Sequence, residues 1–548
     1  MVQIQVFDVL GWVLSVWLGF AASAFGSDQT LGFSTYLGGN SNDSIREIGF
    51  DPAGNVVVAM YGDFQPSTFP GSTVFGPLGT GGNDNIAVLK FDPTGTLLWS
   101  TLIGGSGKER AYGLEIDAAG DIYIAGASSS PDLPTTPGAF DETYNGGDPN
   151  PVHGARDCYA LKLSGDGQNL VYCTYLGGSK NEAARGGLAL APDGSIFVVG
   201  YTKSPDYLGP IPQHVNSFAG SLSDAIVTKL SPDGSSVVYN RFIGSAGFDI
   251  EEVIVGARSD ASGRLHFAAI VRSPGAPTTD GSTYNGGEAD LYIGRLSPDG
   301  TTLEYASYFG GSGAEFMEHR FALDAAGNTY VCGATTSTDF PTQGSGQLGY
   351  GGGPADAFLV KFDPTGQMVW STFIGGSDED SIFGPVLDNS GRIWLGGYTQ
   401  STDYFTTPDA YDSTLDGPRD ATIRRYAPDG TLEYSTLFGG SGSDYGRYIG
   451  VDPSGRVYLV GETDSPDLPT SAGAHQQNYL GGSCAFLTQL LPAPCVPDVN
   501  GDGSLDAADF TAWIAAFNAG DPTCDQNADS LCDPSDFSAW IANFNAGC

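Results

Sequence analysis

Positive charge is what this chain has least of. Lysine and arginine number 23 against 63 aspartates and glutamates in 548 residues, a formal net charge of −40. A field of that sign repels nucleic acid and anionic membrane surfaces and favours cations. Long apolar runs are absent beyond the N-terminus, so the mature chain is expected to have no membrane span. The run from Val9 to Phe20 is short for a bilayer and leads into Ala22-Ser23-Ala24, a small-x-small pattern. It reads as a signal peptide over 1–24, although its n-region carries Asp8 and no basic residue. Export places the protein outside the cell or at the cell surface. The five histidines (153, 214, 266, 319 and 475) recur at no fixed interval, and Gly-x-Ser-x-Gly, His-Glu-x-x-His and P-loop motifs are missing. No catalytic residue is assigned on these grounds.

Glycine is abundant, 80 residues without a collagen period. Much of it belongs to a recurring tetrad: Tyr36-Leu37-Gly38-Gly39, Leu102-Ile103-Gly104-Gly105, Tyr175-Leu176-Gly177-Gly178, Phe242-Ile243-Gly244-Ser245, Tyr308-Phe309-Gly310-Gly311, Phe373-Ile374-Gly375-Gly376 and Leu437-Phe438-Gly439-Gly440. Seven copies spaced by 64 to 73 residues mean a repeat architecture. Each copy reads as four strands, A to D. Asp-x-x-Gly turns such as Asp117 to Gly120 join A to B, and Pro-Asp-Gly or Asp-Pro-Thr-Gly turns such as Pro298 to Gly300 join C to D. Asp bonds backbone N–H groups, Pro presets φ and Gly takes positive φ, so these acids read as turn formers rather than metal ligands. The fold class is all-β: a seven-bladed β-propeller over 31–491. A lone D-type strand, Gly32 to Leu37, precedes the first copy, and the last copy lacks D. The N-terminal strand is expected to complete the seventh blade and leave no open edge.

The segment Ser435-Thr-Leu-Phe-Gly-Gly-Ser-Gly-Ser-Asp444, followed by Gly450-Val451-Asp452, Val457-Tyr458-Leu459-Val460-Gly461 and Ser465-Pro466-Asp467-Leu468-Pro469-Thr470, resembles the bacterial SBBP-type propeller repeat. The pattern recurs over about 31–492 and implies an extracellular propeller without a defined activity. If A is innermost, the B–C loops and D–A connections share one rim. The B–C loops, roughly twenty residues each, read equally as ligand contacts or as packed wedges between blades. An acid stands four residues after each tetrad: Asp43, Glu109, Glu182, Asp249, Glu315, Asp380 and Asp444. These form either a ring at the channel mouth that draws cations or a set of acceptors for backbone N–H groups where the chain crosses between blades.

Eight cysteines in an exported chain point to disulfides. Cys158 and Cys173 face one another across a predicted C–D hairpin and are expected to pair; Cys332 and Cys484 read as free buried thiols. Four cysteines in the tail allow three connectivities, of which Cys495–Cys548 with Cys524–Cys532 lets the chain ends meet. Residues 492–497 read as a linker. Beyond it, residues 495–548 contain nine Asp and no Lys, Arg, Glu or His. Phe510, Trp513, Ile514 and Phe517 match Phe537, Trp540, Ile541 and Phe544 at helical spacing. Each predicted helix follows an Asp-rich loop whose alternate residues suit Ca²⁺, a hard cation that takes six to eight oxygens. The first loop offers Asp498, Asn500, Asp502, Ser504, Asp506 and Asp509; the second offers Asp525, Asn527, Asp529, Leu531 through its backbone, Asp533 and Asp536. Ser530 replaces the turn glycine Gly503 of the first loop, which makes the second site the weaker.

The duplicated loop-helix over 498–548, with Asp at position 12, resembles the dockerin family, and its Gly-Cys ending resembles cysteine-bearing tails of secreted planctomycete-type proteins. The resemblance implies a small all-α module with Ca²⁺ as cofactor and a cohesin-like or cell-surface partner. The recognition pairs fall on Ala507-Ala508 and Pro534-Ser535, unlike the usual Ser-Thr. Together the two resemblances imply a secreted binding or display protein, its propeller taking a glycan or protein ligand. The alternative is an extracellular carbohydrate-active enzyme, a glycoside hydrolase or lyase, assembled through its dockerin in polysaccharide catabolism.

Overall fold

The structure is a computed structural model that describes residues 29–39, 42–80, 84–148, 155–218, 223–244, 253–317, 320–492, 499, 507–519, 521–526 and 531–546. Leu31–Thr406 and Asp412–Pro492 belong to one compact unit, and the C-terminal helices to another.

The first unit is a seven-bladed propeller of antiparallel four-stranded blades. The second blade runs Glu109–Ile116, Ile122–Ser128, Asp157–Leu163 and Leu170–Leu176, with A innermost and D outermost. In the third and fifth blades the inner strand is broken in two, Glu182–Ala183 with Leu188–Leu190 and Glu315–Phe316 with Ala322–Leu323. The first blade adds a short strand, Thr73–Phe75, parallel to its D strand Leu97–Ile103.

Middle strands are covered on both faces by neighbouring blades, and every residue of Val56–Gly62 and Ile122–Ser128 is buried. They accordingly read as near-continuous β-branched and small residues rather than as an alternation. The outer strands keep the alternation and leave Leu98, Val171, Val238 and Val369 exposed. The A–B turns are hydrogen-bonded units. Asp452 Oδ1 accepts from Ser454 N at 2.9 Å and Arg456 N at 3.0 Å, and Gly455 takes a φ of +84°. The same pattern recurs at Asp51, Asp117, Asp324 and Asp388, which settles these acids as turn formers.

The ring closes through its N-terminal strand. Gln29–Leu37 lies against Cys484–Pro492, so the last blade is ordered as N-terminal strand, C, B, A. Tyr36 is 1% exposed; its hydroxyl donates to Ser465 O at 2.8 Å and accepts from Leu468 N at 3.1 Å, tying the first strand to the last B–C loop. On the axis, Arg320 from the fifth blade meets Glu47 from the first in a buried ion pair, and donates to Ile48 O at 2.6 Å and to Ile449 O of the seventh blade at 3.1 Å. Burial pushes the Glu47 carboxyl upward and the Arg320 guanidinium opposes it. Inner strands of three blades are therefore joined by one guanidinium.

The expected Cys158–Cys173 bridge does not form. The register pairs Cys158 with Leu176 and Cys173 with Leu161, which leaves the two thiols three positions out of step on opposite faces of the sheet, both free and buried. Cys332 and Cys484 are free and buried as well. Cys495 and Cys548 lie outside the described residues, as do the leader 1–24 and most of the linker.

The second unit contributes helices α1, Ala507–Ala519, and α2, Pro534–Ala546. Trp513 and Trp540 are buried, with Phe510 5.1 Å from the Trp540 ring, and the Trp513 indole donates to Cys524 O at 3.0 Å. Cys524 and Cys532 form a disulfide, with Cα atoms 5.7 Å apart. Ile514 and Ile541, expected on the same apolar face, are each 41% exposed because that face centres on the aromatic rings and the isoleucines fall at its edge.

Candidate functional site

The acids after the tetrads are not a solvent-facing ring. Asp43, Glu109, Glu182, Glu315, Asp380 and Asp444 are each no more than 1% exposed; Asp249 lies outside the described residues. Each described one accepts the N–H of the tetrad's second glycine, for example Gly440 N to Asp444 at 2.9 Å and Gly376 N to Asp380 at 2.8 Å. Five of them also accept a serine hydroxyl from the start of the B–C loop: Ser130, Ser204, Ser337, Ser401 and Ser465. The same serines accept from the backbone one turn later, as in Gly442 N to Ser465 at 2.8 Å. Two residues further on, Asp132, Asp206, Asp339, Asp403 and Asp467 accept both N–H and hydroxyl of the serine after the tetrad. Leu133, Phe340 and Leu468 of the loop motif are buried between blades. Acid, glycine pair and loop serine thus form one latch in each of five blades, and the repeated loop segment is a packed wedge.

The latch explains the glycine pair. A side chain at Gly375 would put its Cβ 2.8 Å from Asp356 Oδ1 and 2.9 Å from Asp380 Oδ2, and at Gly376 2.7 Å from Ser401 Cβ. It also exposes a set of acids that the sequence reading did not single out. Asp157, Asp224, Asp290, Asp356 and Asp420 open the C strands and are fully buried. Where latch acid and C-strand acid meet across a glycine, one carboxylate oxygen of Asp157, Asp290, Asp356, Asp380 and Asp444 has no hydrogen-bond partner. Two facing carboxylates without an intervening donor ionise together only at a cost, so such a pair holds a proton to higher pH than an ordinary carboxylate. Burial is the leading cause and pushes Glu182 up to about 8, Asp157 and Asp290 to about 7, and Asp356 and Asp420 to about 6. In the first blade Asn85 occupies the C-strand position, and in the seventh Cys484 does.

With these groups engaged in packing, the rim offers the channel mouth. Two cavities adjoin there and share Phe316 and Met317. The larger, about 560 Å³, is lined by Tyr398, Tyr445, Arg447, Glu379, Ala334 and Ile382 among others. Its charges are mutually engaged: the Tyr398 hydroxyl donates to Glu379 at 2.7 Å, and Arg447 donates to Glu462 at 2.9 Å. The second, about 440 Å³, is lined by Arg156, Arg185, Lys203, Arg272, Asn181 and Tyr201 among others.

Of the tail's candidate ligands, Asp498, Asn500, Asp502, Ser504, Asp506, Asn527 and Asp529 lie outside the described residues. Asp509 and Asp536, position 12 of each loop, are fully buried in the first turn of their helices, and Asp536 accepts from Gln526 N at 2.9 Å and Asp533 N at 2.7 Å. Leu531 is 62% exposed. Among the described residues no group of three His, Cys, Asp or Glu side chains is arranged to hold a metal.

Residues 433–469 match the SBBP beta-propeller repeat model. The matched stretch spans the seventh blade's latch, from the strand before Gly439-Gly440 through Asp444 to Ser465 and Asp467. Blades two, three, five and six carry the same latch at similar spacing. Among curated proteins, none matches the sequence. Solved structures with a similar arrangement include the β-propeller domain of the trilobed protease from Pyrococcus furiosus (8% identity, TM-score 0.36, covering 80% of this chain and 92% of that one). A europium-containing methanol dehydrogenase (11%, 0.35, 85% and 93%) and the calcium-binding protein regucalcin from Agrobacterium tumefaciens (12%, 0.28, 69% and 90%) are others. None of these bears on what this chain binds.

The buried acids set the pH profile. Their folded pKa values lie above the unfolded value near 4, so the folded chain holds extra protons between about pH 4 and 8 and loses stability as pH rises through that window. The turn acids act oppositely. Hydrogen bonds from Ser231 and Ser235 lower Asp233 to about 2, and those from Ser179 lower Asp206, so their contribution is lost as pH falls below about 4. Melting temperature against pH is expected to peak near pH 4–5 and to decline steadily toward pH 8; a plateau from pH 5 to 8 contradicts this.

Proposed function

We propose that the chain is an exported binding and display protein: the propeller takes a ligand at its channel mouth, and the tail is a calcium-dependent dockerin-like address for a cohesin-like or cell-surface partner. The observation that carries the propeller half is the pair of adjoining cavities on the long-loop rim. Each has the volume of a small-molecule site, and neither lining includes a latch carboxyl or latch serine. Turnover is not required by any group at the mouth, which ranks the carbohydrate-active enzyme second.

The tail reading rests on its donor set. Nine Asp with no basic residue repel one another, and fully buried carboxylates open both helices. The residues fit a hard divalent cation: Asp498, Asn500, Asp502, Ser504, Asp506 and Asp509 would hold one, and Asp525, Asn527, Asp529, Leu531, Asp533 and Asp536 the second. Bound Ca²⁺ neutralises the loops, and its binding energy then appears as folding energy in a module too small to bury much core.

Two experiments test the halves separately. A glycan and protein array probed with the full chain is expected to return a ligand whose retention falls at least tenfold in Tyr445→Ala; a blank array, or retention unchanged by that substitution, removes the channel mouth as the binding site. Because the propeller is all-β, helical circular dichroism of the full chain reports the tail. It is expected to fall on chelation and to return with Ca²⁺, with a higher midpoint in Asp509→Ala. Helix that persists in chelator shows that the Cys524–Cys532 disulfide and the aromatic core suffice.

A further inference from the structure

Four of the 23 basic residues converge on the smaller cavity: Arg156, Arg185, Lys203 and Arg272. They come from the second to fourth blades, and no carboxylate is among the described residues of the lining. Three of the guanidiniums are held against aromatic faces, Arg185 over Tyr112 at 5.6 Å, Arg156 over Tyr201 at 6.0 Å and Arg272 over Phe316 at 6.0 Å. The Tyr201 hydroxyl accepts from Arg156 at 2.5 Å. A guanidinium held flat against a ring keeps its planar fork, a geometry that suits an oxyanion. The acid seen to face this group is Glu288, paired with Arg272 at 2.5 Å; it is 66% exposed and solvent-screened. Glu251 and Glu252, just before Val253 of the lining, lie outside the described residues. Arg185 and Lys203 make further interactions of their own, so the argument rests on the density of positive charge and not on an unused cation.

The local field is visible in a neighbour. Burial raises the pKa of the Tyr112 phenol, yet the guanidiniums of Arg185, Arg110, Arg156 and Arg46 outweigh it and hold the group below its usual value. A chain of net charge −40 therefore carries a positive spot at one side of its channel mouth. The two scales select together. At physiological salt, fields fade over about 8 Å, so the pocket attracts an anion that reaches it, while the acidic surface around it repels densely charged polymers.

We infer that this pocket binds a small ligand bearing one or two isolated carboxylate or sulfate groups on a neutral hydroxylated frame, an acidic sugar unit in chemical terms. Two features point to the frame: a volume near 440 Å³, room for one or two rings, and the Tyr201 hydroxyl in the lining. The inference rests on the channel mouth being a binding surface, as proposed above.

The test titrates the full-length protein with glucuronate, glucose and inorganic sulfate by calorimetry, at low salt and at 1 M NaCl. Glucuronate is expected to bind at least tenfold more tightly than glucose, to weaken at high salt, and to weaken at least fivefold in Lys203→Gln and in Arg272→Gln. Both substitutions are at half-buried positions, and an unchanged melting temperature shows that each variant is folded. Sulfate binding that equals glucuronate shows that the anion alone is recognised and overturns the sugar frame. Glucose bound as well as glucuronate, or affinities unaltered in both folded variants, overturns the anionic pocket while leaving the channel mouth as a neutral binding surface. Array ligands bound through Tyr445 with no response to any of these three probes also overturn it.

Discussion

Everything in the propeller depends on carboxyl groups that water does not reach. In six blades an acid at the start of the inner strand is held by a backbone N–H of the preceding turn and, in five of them, by a serine from the loop that follows the second strand. A buried carboxyl accepting from fixed donors is firmly held, and costly when a donor is lost. That asymmetry makes the latch a specifier of geometry. It sets where the chain crosses between blades, demands a glycine pair on which the carboxyls and the serine can close, and anchors a long loop whose first residues wedge between sheets. The ring as a whole is then secured at two further places, by the N-terminal strand in the seventh blade and by the Arg320–Glu47 pair on the axis.

The distribution of charge follows from the same economy. Many of the acids sit in turns and latches, where hydrogen bonds offset their desolvation. Basic residues are few, and many of them serve packing: Lys90 pairs with Asp51 and Lys162 with Asp117 at the tight-turn rim. The concentration of guanidiniums at one side of the channel mouth is the exception. What the described blades share is structural, while the residues lining the two cavities differ from blade to blade.

Much of the architecture is legible in the residues. The glycine pairs count the blades because a close approach of carboxyls and serine dictates them, and the surplus strand at the start with the missing one at the end announces the closure. The burial of the latch acids is not legible from their spacing alone, because the serines that bond them lie 21 or 22 positions away, inside loops that read equally well as ligand contacts. The C-strand acids did leave a signal, an Asp at 157, 224, 290, 356 and 420 spaced like the tetrads. The Cys158–Cys173 expectation failed on register, which a hairpin loop with a bulge between Leu170 and Tyr172 shifts beyond what the turn residues reveal. The cationic pocket follows no repeat, since its four charges occupy different strand positions in different blades, and only the fold assembles them.

The central claim is that the acid pairs inside the blades hold protons well above the ordinary carboxylate range. Infrared difference spectroscopy of the folded protein reads this directly, because a protonated carboxyl has a carbonyl band separate from that of a carboxylate. The account predicts a protonated-carboxyl band at pH 5 that persists near pH 6, well above the range of ordinary carboxylates, disappears as pH rises through about 7 to 8, and shrinks in Glu182→Gln. A folded protein whose carboxyls are all ionised by pH 6 contradicts it.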